Sequence, residues 1–189
     1  DIGGAVHYGP KGDIIIRSAI GKEYAIGTVQ IDLYMPQRFN LTYIDKDGRG
    51  KFVVVIHRAP LGSHERFIGF LIEHFAGAFP LWLSPIQVVI IPIADRHHEY
   101  ALQLINQLKD ADTRVELDDR AETMQAKIRD ATLQKVPYMI IIGDREIKDR
   151  RLKIEGRKVS VRTREGKDLG QMKLAEFLEK LKKEIENKE

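Results

Sequence analysis

Within residues 23–34, Tyr24, Thr28, Gln30, Asp32 and Tyr34 fall at even spacing, with Gly27 near the centre. Side chains alternate in an extended chain, so this spacing puts a hydroxyl, an amide and a carboxylate on one face between two phenols. Such a face can floor a pocket for a small polar ligand, with Gln30 placed to bind it. Gly27 permits close approach by a ligand or another backbone. The same pattern also describes the solvated face of an antiparallel sheet.

A second group follows at Pro60-Leu61-Gly62-Ser63-His64-Glu65-Arg66. Ser63 is suited to cap a helix, and the free N–H groups there favour an anion. Arg66 falls in the first turn, where the helix dipole disfavours a cation. Its position makes sense beside a phosphate or a planar base, and the alternative is an ordinary surface arginine.

His57 ends the apolar run Val53, Val54, Val55, Ile56. Zinc sites need three or four ligands. His97-His98 lacks ligand spacing, and His64 and His74 lie on a helix surface. The pattern alone therefore favours a core or boundary histidine at position 57. The chain has no Cys, which excludes a disulfide scaffold, a thiolate nucleophile and a Cys-based zinc site. It also lacks a nucleophile elbow, a P-loop and a glycine-rich dinucleotide fingerprint.

Charge is unevenly placed along the 189 residues. The net charge is +3, yet residues 145–167 hold ten Lys/Arg against four acids, +6, which leaves −3 for the remainder. Lys158, Ser160, Arg162 and Arg164 share one face of a strand, opposite Val159 and Val161. That face suits phosphate contact, or it is the charged, solvated edge of a sheet. A 43% hydrophobic and 31% charged composition argues against disorder. The longest apolar run, 88–93, is far short of the roughly 20 residues that cross a bilayer. No leader is visible after Asp1, and an Asp start suggests a piece of a longer chain.

The elements that must position these residues change rhythm near Pro85. Residues 13–18 and 23–34 read as strands, then 40–44 and 51–58 as a hairpin, and a helix follows from Ser63 through Phe67, Phe70, Leu71 and Phe75. From Pro85, strands at 86–94, 113–117 and 138–142 alternate with helices at 99–111 and 122–134, which implies a largely parallel sheet. A polar hairpin, 151–154 with 158–164, precedes a last helix at 173–187. The fold class expected is α/β, α+β overall. Residues 1–84 would form part of an antiparallel domain and 85–189 a mixed-sheet α/β domain.

His57-Arg58-Ala59-Pro60-Leu61-Gly62-Ser63-His64-Glu65-Arg66 resembles motif 3 of the class II aminoacyl-tRNA synthetases, in the form carried by the threonine-specific enzymes. Tyr8-Gly9-Pro10-Lys11 and Gly27-Thr28-Val29-Gln30-Ile31-Asp32 are similar to that family's preceding strands. Phe79-Pro80-Leu81-Trp82-Leu83-Ser84-Pro85 is similar to its junction, and Gly143-Asp144-Arg145-Glu146 with Val161-Arg162-Thr163-Arg164 to its anticodon-binding domain. The resemblance spans essentially the whole chain. It departs from the family's usual residues at Gly12, Ala25, Pro60 and Ala121.

The resemblance implies that Tyr8 and Gln30 line a threonine site, with Thr28 beside them, and that Lys11 sits by the carboxylate or α-phosphate. Ser63 would touch the adenylate, and Arg66 would stack on adenine and reach the phosphates. His57 would be one of three zinc ligands, against the reading from pattern alone, with the other two upstream of residue 1 together with motifs 1 and 2. Glu146 and Arg162 would read anticodon bases, with Arg129 and Lys135 contacting the tRNA nearby. ATP and Mg²⁺ as substrate and cofactor, tRNA as partner, a cytoplasmic homodimer and no membrane association all follow from the same resemblance. So does threonine–tRNA ligase activity for the intact enzyme. A non-catalytic tRNA-binding module, or a synthetase-like accessory protein, is the alternative.

Overall fold

A computed structural model describes residues 5–148 and 156–188. The chain divides into two compact units between Ala76 and Gly77. Pro85, where the sequence changes rhythm, lies inside the second unit.

The first unit is built on a three-stranded antiparallel sheet. β1 (Lys11–Arg17) pairs with β2 (Glu23–Asp32), and Ile14 opposes Gly27 while Ile15 opposes Ala25. Ile26 is thus the extra residue of a bulge, which interrupts the strict alternation expected over 23–34. β2 also stops two residues early. Asp32 Oδ1 accepts from the Tyr34 and Met35 amides at 3.0 and 2.9 Å and so starts a short helix, α1 (Met35–Arg38), that the sequence pattern does not reveal.

The expected strand 51–58 is two strands. β3 (Thr42–Ile44) pairs with β4 (Gly50–Phe52) around a turn in which Gly48 has φ 73°. β5 (Val55–Ala59) instead pairs with β2, from Thr28 opposite Ala59 to Asp32 opposite Val55. The break at Val53-Val54 lets the chain change partners. α2 (His64–Phe75) then starts at Ser63, whose hydroxyl accepts from the Arg66 amide at 3.3 Å, and ends on Ala76 in the left-handed conformation, φ 48°.

The solvated-face reading of β2 is overturned. Val29 and Ile31 are 44% and 38% exposed, whereas Asp32 on the polar face is 1% exposed and Thr28 and Gln30 are half-buried. A Cβ at Gly27 would lie 2.8 Å from the Pro60 carbonyl oxygen. The close approach at Gly27 is therefore made by backbone, and it brings the start of α2 against β2.

In the second unit, β6 (Val88–Pro92) is buried along its whole length, as its apolar run requires. α3 (His98–Asp110), β7 (Val115–Leu117), α4 (Met124–Leu133), β8 (Tyr138–Ile142), α5 (Asp144–Ile147), β9 (Lys158–Thr163), β10 (Asp168–Lys173) and α6 (Leu174–Asn187) follow. The sheet order is β10-β9-β8-β6-β7, with β7, β6 and β8 parallel and β8, β9 and β10 antiparallel. The sheet is thus mixed, as expected for residues 85–189, and the crossovers account for its parallel part. Leu104, Leu108, Phe177 and Leu181 from α3 and α6 cover one face, packing on Val88, Ile90, Ile140, Val159 and Val161. Ile128 and Ala131 of α4 cover the other, against Val89, Ile91 and Met139.

The partner of β9 is a further correction. The expected strand 151–154 lies outside the described residues, and β9 is flanked instead by β8 and β10. It is an interior strand, so the charged-edge explanation of its cations fails. β10 escapes sequence reading because its Gly170, with φ 73°, interrupts the alternation where the register shifts.

Residues 79–84 are tied to the second unit by their carbonyls. Arg114 donates Nε to Ser84 O at 2.8 Å and Nη2 to Trp82 O at 2.9 Å, and Gln87 Nε2 donates to Leu81 O at 2.9 Å. Arg164 Nη1 donates to Phe79 O at 2.6 Å. Irregular backbone this close to a core needs such donors. Arg114→Ala is expected to lower the unfolding free energy by about 1–3 kcal/mol, from the carbonyls it strands. Urea unfolding followed by the fluorescence of Trp82 measures this, and an unchanged midpoint would refute it.

Candidate functional site

Each unit carries some of the candidate side chains. In the first, β2 holds the centre. Lys11 on β1 and His57 on β5 both stand opposite Gln30. The Tyr8 hydroxyl donates to Gln30 Oε1 at 2.6 Å, and the Tyr8 and His57 rings meet edge to face with centroids 5.8 Å apart. Thr28 Oγ1 donates to Asp13 Oδ1 at 2.7 Å, and Lys11 Nζ pairs with Asp13 Oδ2 at 2.8 Å. These bonds hold the Asp13 carboxyl below its ordinary pKa, the Lys11 bond contributing most. Tyr8, Lys11, Thr28, Gln30 and His57, drawn from three stretches of sequence, are thereby gathered on one sheet.

His57 Nε2 lies 2.9 Å from Asp32 Oδ2. Burial pushes the Asp32 carboxyl up, and the bonds from His57 and from the Met35 and Tyr34 amides outweigh it and bring it below the usual value. In the sequence Asp32 is visible only as part of a polar face. Its link to His57 follows from strand pairing, which sequence spacing does not reveal. Among the described residues no three His, Asp or Glu side chains come together as a metal cluster. An imidazole whose second nitrogen rests on a carboxylate nevertheless has the donor chemistry of one member of a ligand set.

Ser63 and Arg66 open α2. A Cβ at Gly62 would lie 3.7 Å from Ile26 O and 3.9 Å from Ala25 O, so this helix start lies beside the centre of β2. Tyr24 of β2 and Phe70 of α2 meet edge to face at 6.5 Å. Arg66 is exposed; its backbone amide donates to Ser63 Oγ, and its guanidinium has no hydrogen bond or ion pair among the described residues.

In the second unit, Ser160 and Arg162 point away from Val159 and Val161, toward the face that α4 covers. Met139 opposes Arg162 and Ile141 opposes Ser160. Arg129 and Lys135 are exposed, on α4 and just past it, with Lys135 in a left-handed conformation, φ 61°. Arg162 is half-exposed, 3.5 Å from Asp168. Glu146 is only 5% exposed. Its Oε1 accepts from Ser160 Oγ and Gln171 Nε2, each at 2.7 Å, and its Oε2 accepts from the Gly143 amide at 2.9 Å. Burial pushes the Glu146 carboxyl up, but these bonds prevail and hold it below its ordinary value.

Next to Glu146, Asp144 accepts two bonds from Arg96, at 2.9 and 2.8 Å, and lies 3.0 Å from His97 Nε2. The Arg96 and His97 contacts hold the Asp144 carboxyl well below the usual range. This joins the loops after β6 and β8. A cleft of about 310 Å³ opens at the carboxyl end of β6, lined by Pro92, Ala94, Asp95, Ala121, Thr123 and Lys127 among others. It lies between the loop that follows β6 and the one that follows β7, on the far side of β6 from β8. The sequence singles out Ala121 but shows no cleft, and it gives no signal for Lys127. The Lys127 ammonium is buried and donates to Asp118 O at 2.9 Å.

Two family models match the chain. Residues 87–184 match the family model "Anticodon binding domain", and residues 3–75 match "tRNA synthetase class II core domain (G, H, P, S and T)". The chain belongs to the anticodon-binding-domain family of class II aminoacyl-tRNA synthetases. More particularly, it is similar to the C-terminal part of threonine–tRNA ligases. It is 52% identical to a Thermus thermophilus ligase over 94% of the chain, and 50% identical to the Aquifex aeolicus ligase over all of it. These alignments take in 26% and 28% of the two ligases, so the chain spans about a quarter of their length. A crystal structure of the RNA-binding domain of threonyl-tRNA synthetase from Cryptosporidium parvum superposes with a TM-score of 0.79 at 34% identity, covering 95% of this chain and 44% of that one.

Glu146→Gln puts an amide N–H among three donors, and at pH 7 it is expected to destabilise the second unit by about 1–3 kcal/mol. The wild-type advantage is present above the unfolded glutamate pKa of about 4.3 and is lost as pH falls through the lower folded value. Trp82-detected urea unfolding should therefore show the two proteins diverging at pH 7 and converging as pH falls through the lowered folded value of Glu146. Equal stability at pH 7 would sink the assignment.

Proposed function

We propose that this chain supplies part of the threonine and adenylate pocket, and the anticodon-binding domain, of a threonine–tRNA ligase. Residues 1–84 are assigned to the catalytic domain and 85–189 to anticodon binding. The observation that carries the reading is the gathering of Tyr8, Lys11, Thr28, Gln30 and His57 on one sheet beside the helix start that holds Ser63 and Arg66. This assembly disfavours a non-catalytic module that merely kept the residues.

In this reading Tyr8 and Gln30, already bonded to one another, orient threonine, and Thr28 and Lys11 stand beside its carboxylate. That carboxylate is ionised, so it attacks the α-phosphorus of ATP without a protein base, and pyrophosphate leaves. Arg66, free of internal ion pairs among the described residues, is available to stack on adenine and to take up charge developing on the phosphates. Ser63 contacts the adenylate. Magnesium would neutralise the phosphates. His57 would hold zinc with ligands from the rest of the longer protein. Zinc would supply a requirement for the threonine hydroxyl, which discriminates against near-isosteric valine better than an apolar pocket can.

For tRNA, Arg129, Lys135 and Arg162 offer accessible cations, and the Ala121 cleft has room for a nucleotide base. Glu146 reaches a base only by exchanging one of its three internal bonds. The intact protein is proposed to work in the cytoplasm as a homodimer.

The reading is tested in two assays. The 189-residue chain is expected to give no threonine-dependent ATP–pyrophosphate exchange, whereas a chain extended to the length of its relatives is expected to give it and to lose at least 10-fold with Arg66→Ala. Exchange by the short chain, or none by the long one, overturns the catalytic assignment. The short chain should bind tRNA with affinity falling steeply with salt, and Arg162→Ala should cost about 1–3 kcal/mol and relax anticodon preference. Unchanged affinity and preference would remove Arg162 from the interface.

A further inference from the structure

The side chain of Asp32 is fully committed. Its Oδ1 takes the two amides that open α1, and its Oδ2 faces His57 Nε2 at 2.9 Å, in a position 1% exposed. A carboxylate offers only acceptors, so the imidazole nitrogen facing it must carry the hydrogen. That leaves Nδ1 of a neutral His57 as the nitrogen with a lone pair. The ring is half-exposed, and its edge-to-face contact with Tyr8 leaves it a side open to a ligand.

We propose that Asp32 is a positioning residue that fixes the tautomer and the ring plane of His57, so that Nδ1 is presented to a divalent cation. This rests on the reading of His57 as a zinc ligand and adds the group that prepares it. Asp32 is well suited because two backbone amides on Oδ1 fix its own rotation. A flexible surface carboxylate would let the ring turn and would leave the two nitrogens to compete. Coupling to α1 adds a structural consequence: the turn that ends β2 and the orientation of His57 are set by the same side chain.

The substitution that separates these roles is Asp32→Asn. Asparagine keeps Oδ1 for the Tyr34 and Met35 amides but turns an NH₂ group toward His57 Nε2, which must then accept. The proton moves to Nδ1, and the metal-facing lone pair is lost. In the ¹⁵N-labelled 189-residue chain, long-range ¹H–¹⁵N spectra are expected to show Nε2–H at His57 in the wild type and Nδ1–H in D32N. Unchanged Tyr34 and Met35 amide shifts would report that the α1 cap persists. An Nδ1–H wild type overturns the proposal whatever the variant does, and so does an Nε2–H D32N with the cap intact. In a chain extended to the relatives' length, competition with a chromophoric chelator is expected to show zinc held about 10–100-fold more weakly by D32N. A flipped tautomer with zinc affinity unchanged also overturns the proposal. If neither wild type nor His57→Ala binds zinc while the tautomers behave as expected, the zinc reading of His57 fails and the positioning geometry stands.

Discussion

A carboxylate removed from water must find donors, and each unit of this chain is organised around one that does. Leaving such a group unpaired costs far more than a hydrogen bond returns, so its partners are held closely. In the first unit Asp32 draws together the end of β2, the start of α1 and His57 of β5. In the second, Glu146 draws together Gly143 after β8, Ser160 on β9 and Gln171 on β10. Both carboxylates sit next to the residues assigned to ligands. The need to satisfy a buried charge and the need for a defined site are met by the same bonds.

This shared origin explains which features are legible in the sequence. Elements with strong periodicity, such as the buried run of β6 or the stripe of Leu174, Phe177 and Leu181 on α6, lie close to where spacing predicts them. Departures arise where a local side-chain bond or a change of strand partner overrides the pattern. The Asp32 cap cuts β2 short, the break at Val53-Val54 gives β4 and β5 different partners, and a bulge displaces Ile26. Amphipathicity misleads most on β2. Its apolar alternation suggests a buried Val29 and Ile31 face, yet the polar face is the covered one, because Gln30 and Asp32 have partners there.

The candidate site is legible as residue types and motifs, and not as a network. Tyr8, Lys11, Gln30 and His57 come from three separate segments, and only strand register shows that Lys11 and His57 flank Gln30 from opposite sides. Gly27 is instructive in the same way. Its missing side chain is compatible with a ligand or a backbone, and the Pro60 carbonyl takes the space. That contact still serves the site, because it sets the start of α2, with Ser63 and Arg66, against the strand that carries Gln30.

Counting charges identifies a cationic block but not its free members. Arg164 spends its guanidinium on Glu165 and the Phe79 carbonyl, and Arg162 leans on Asp168 at a looser 3.5 Å. Elsewhere Arg114 holds backbone carbonyls, Arg120 bridges Asp118 and Asp130, and Lys127 is buried on carbonyls. A cation engaged by a fixed carbonyl or carboxylate must break that bond before it meets a phosphate, whereas an exposed one exchanges only water and counterions. Arg66 and Lys135 are of the second kind, and Arg129 is close to it, with Asp130 no nearer than 3.9 Å. Among the described residues, then, the cations open to a polyanion are set by their partners rather than by the charge count, and Arg66, Arg129 and Lys135 lie outside the +6 block.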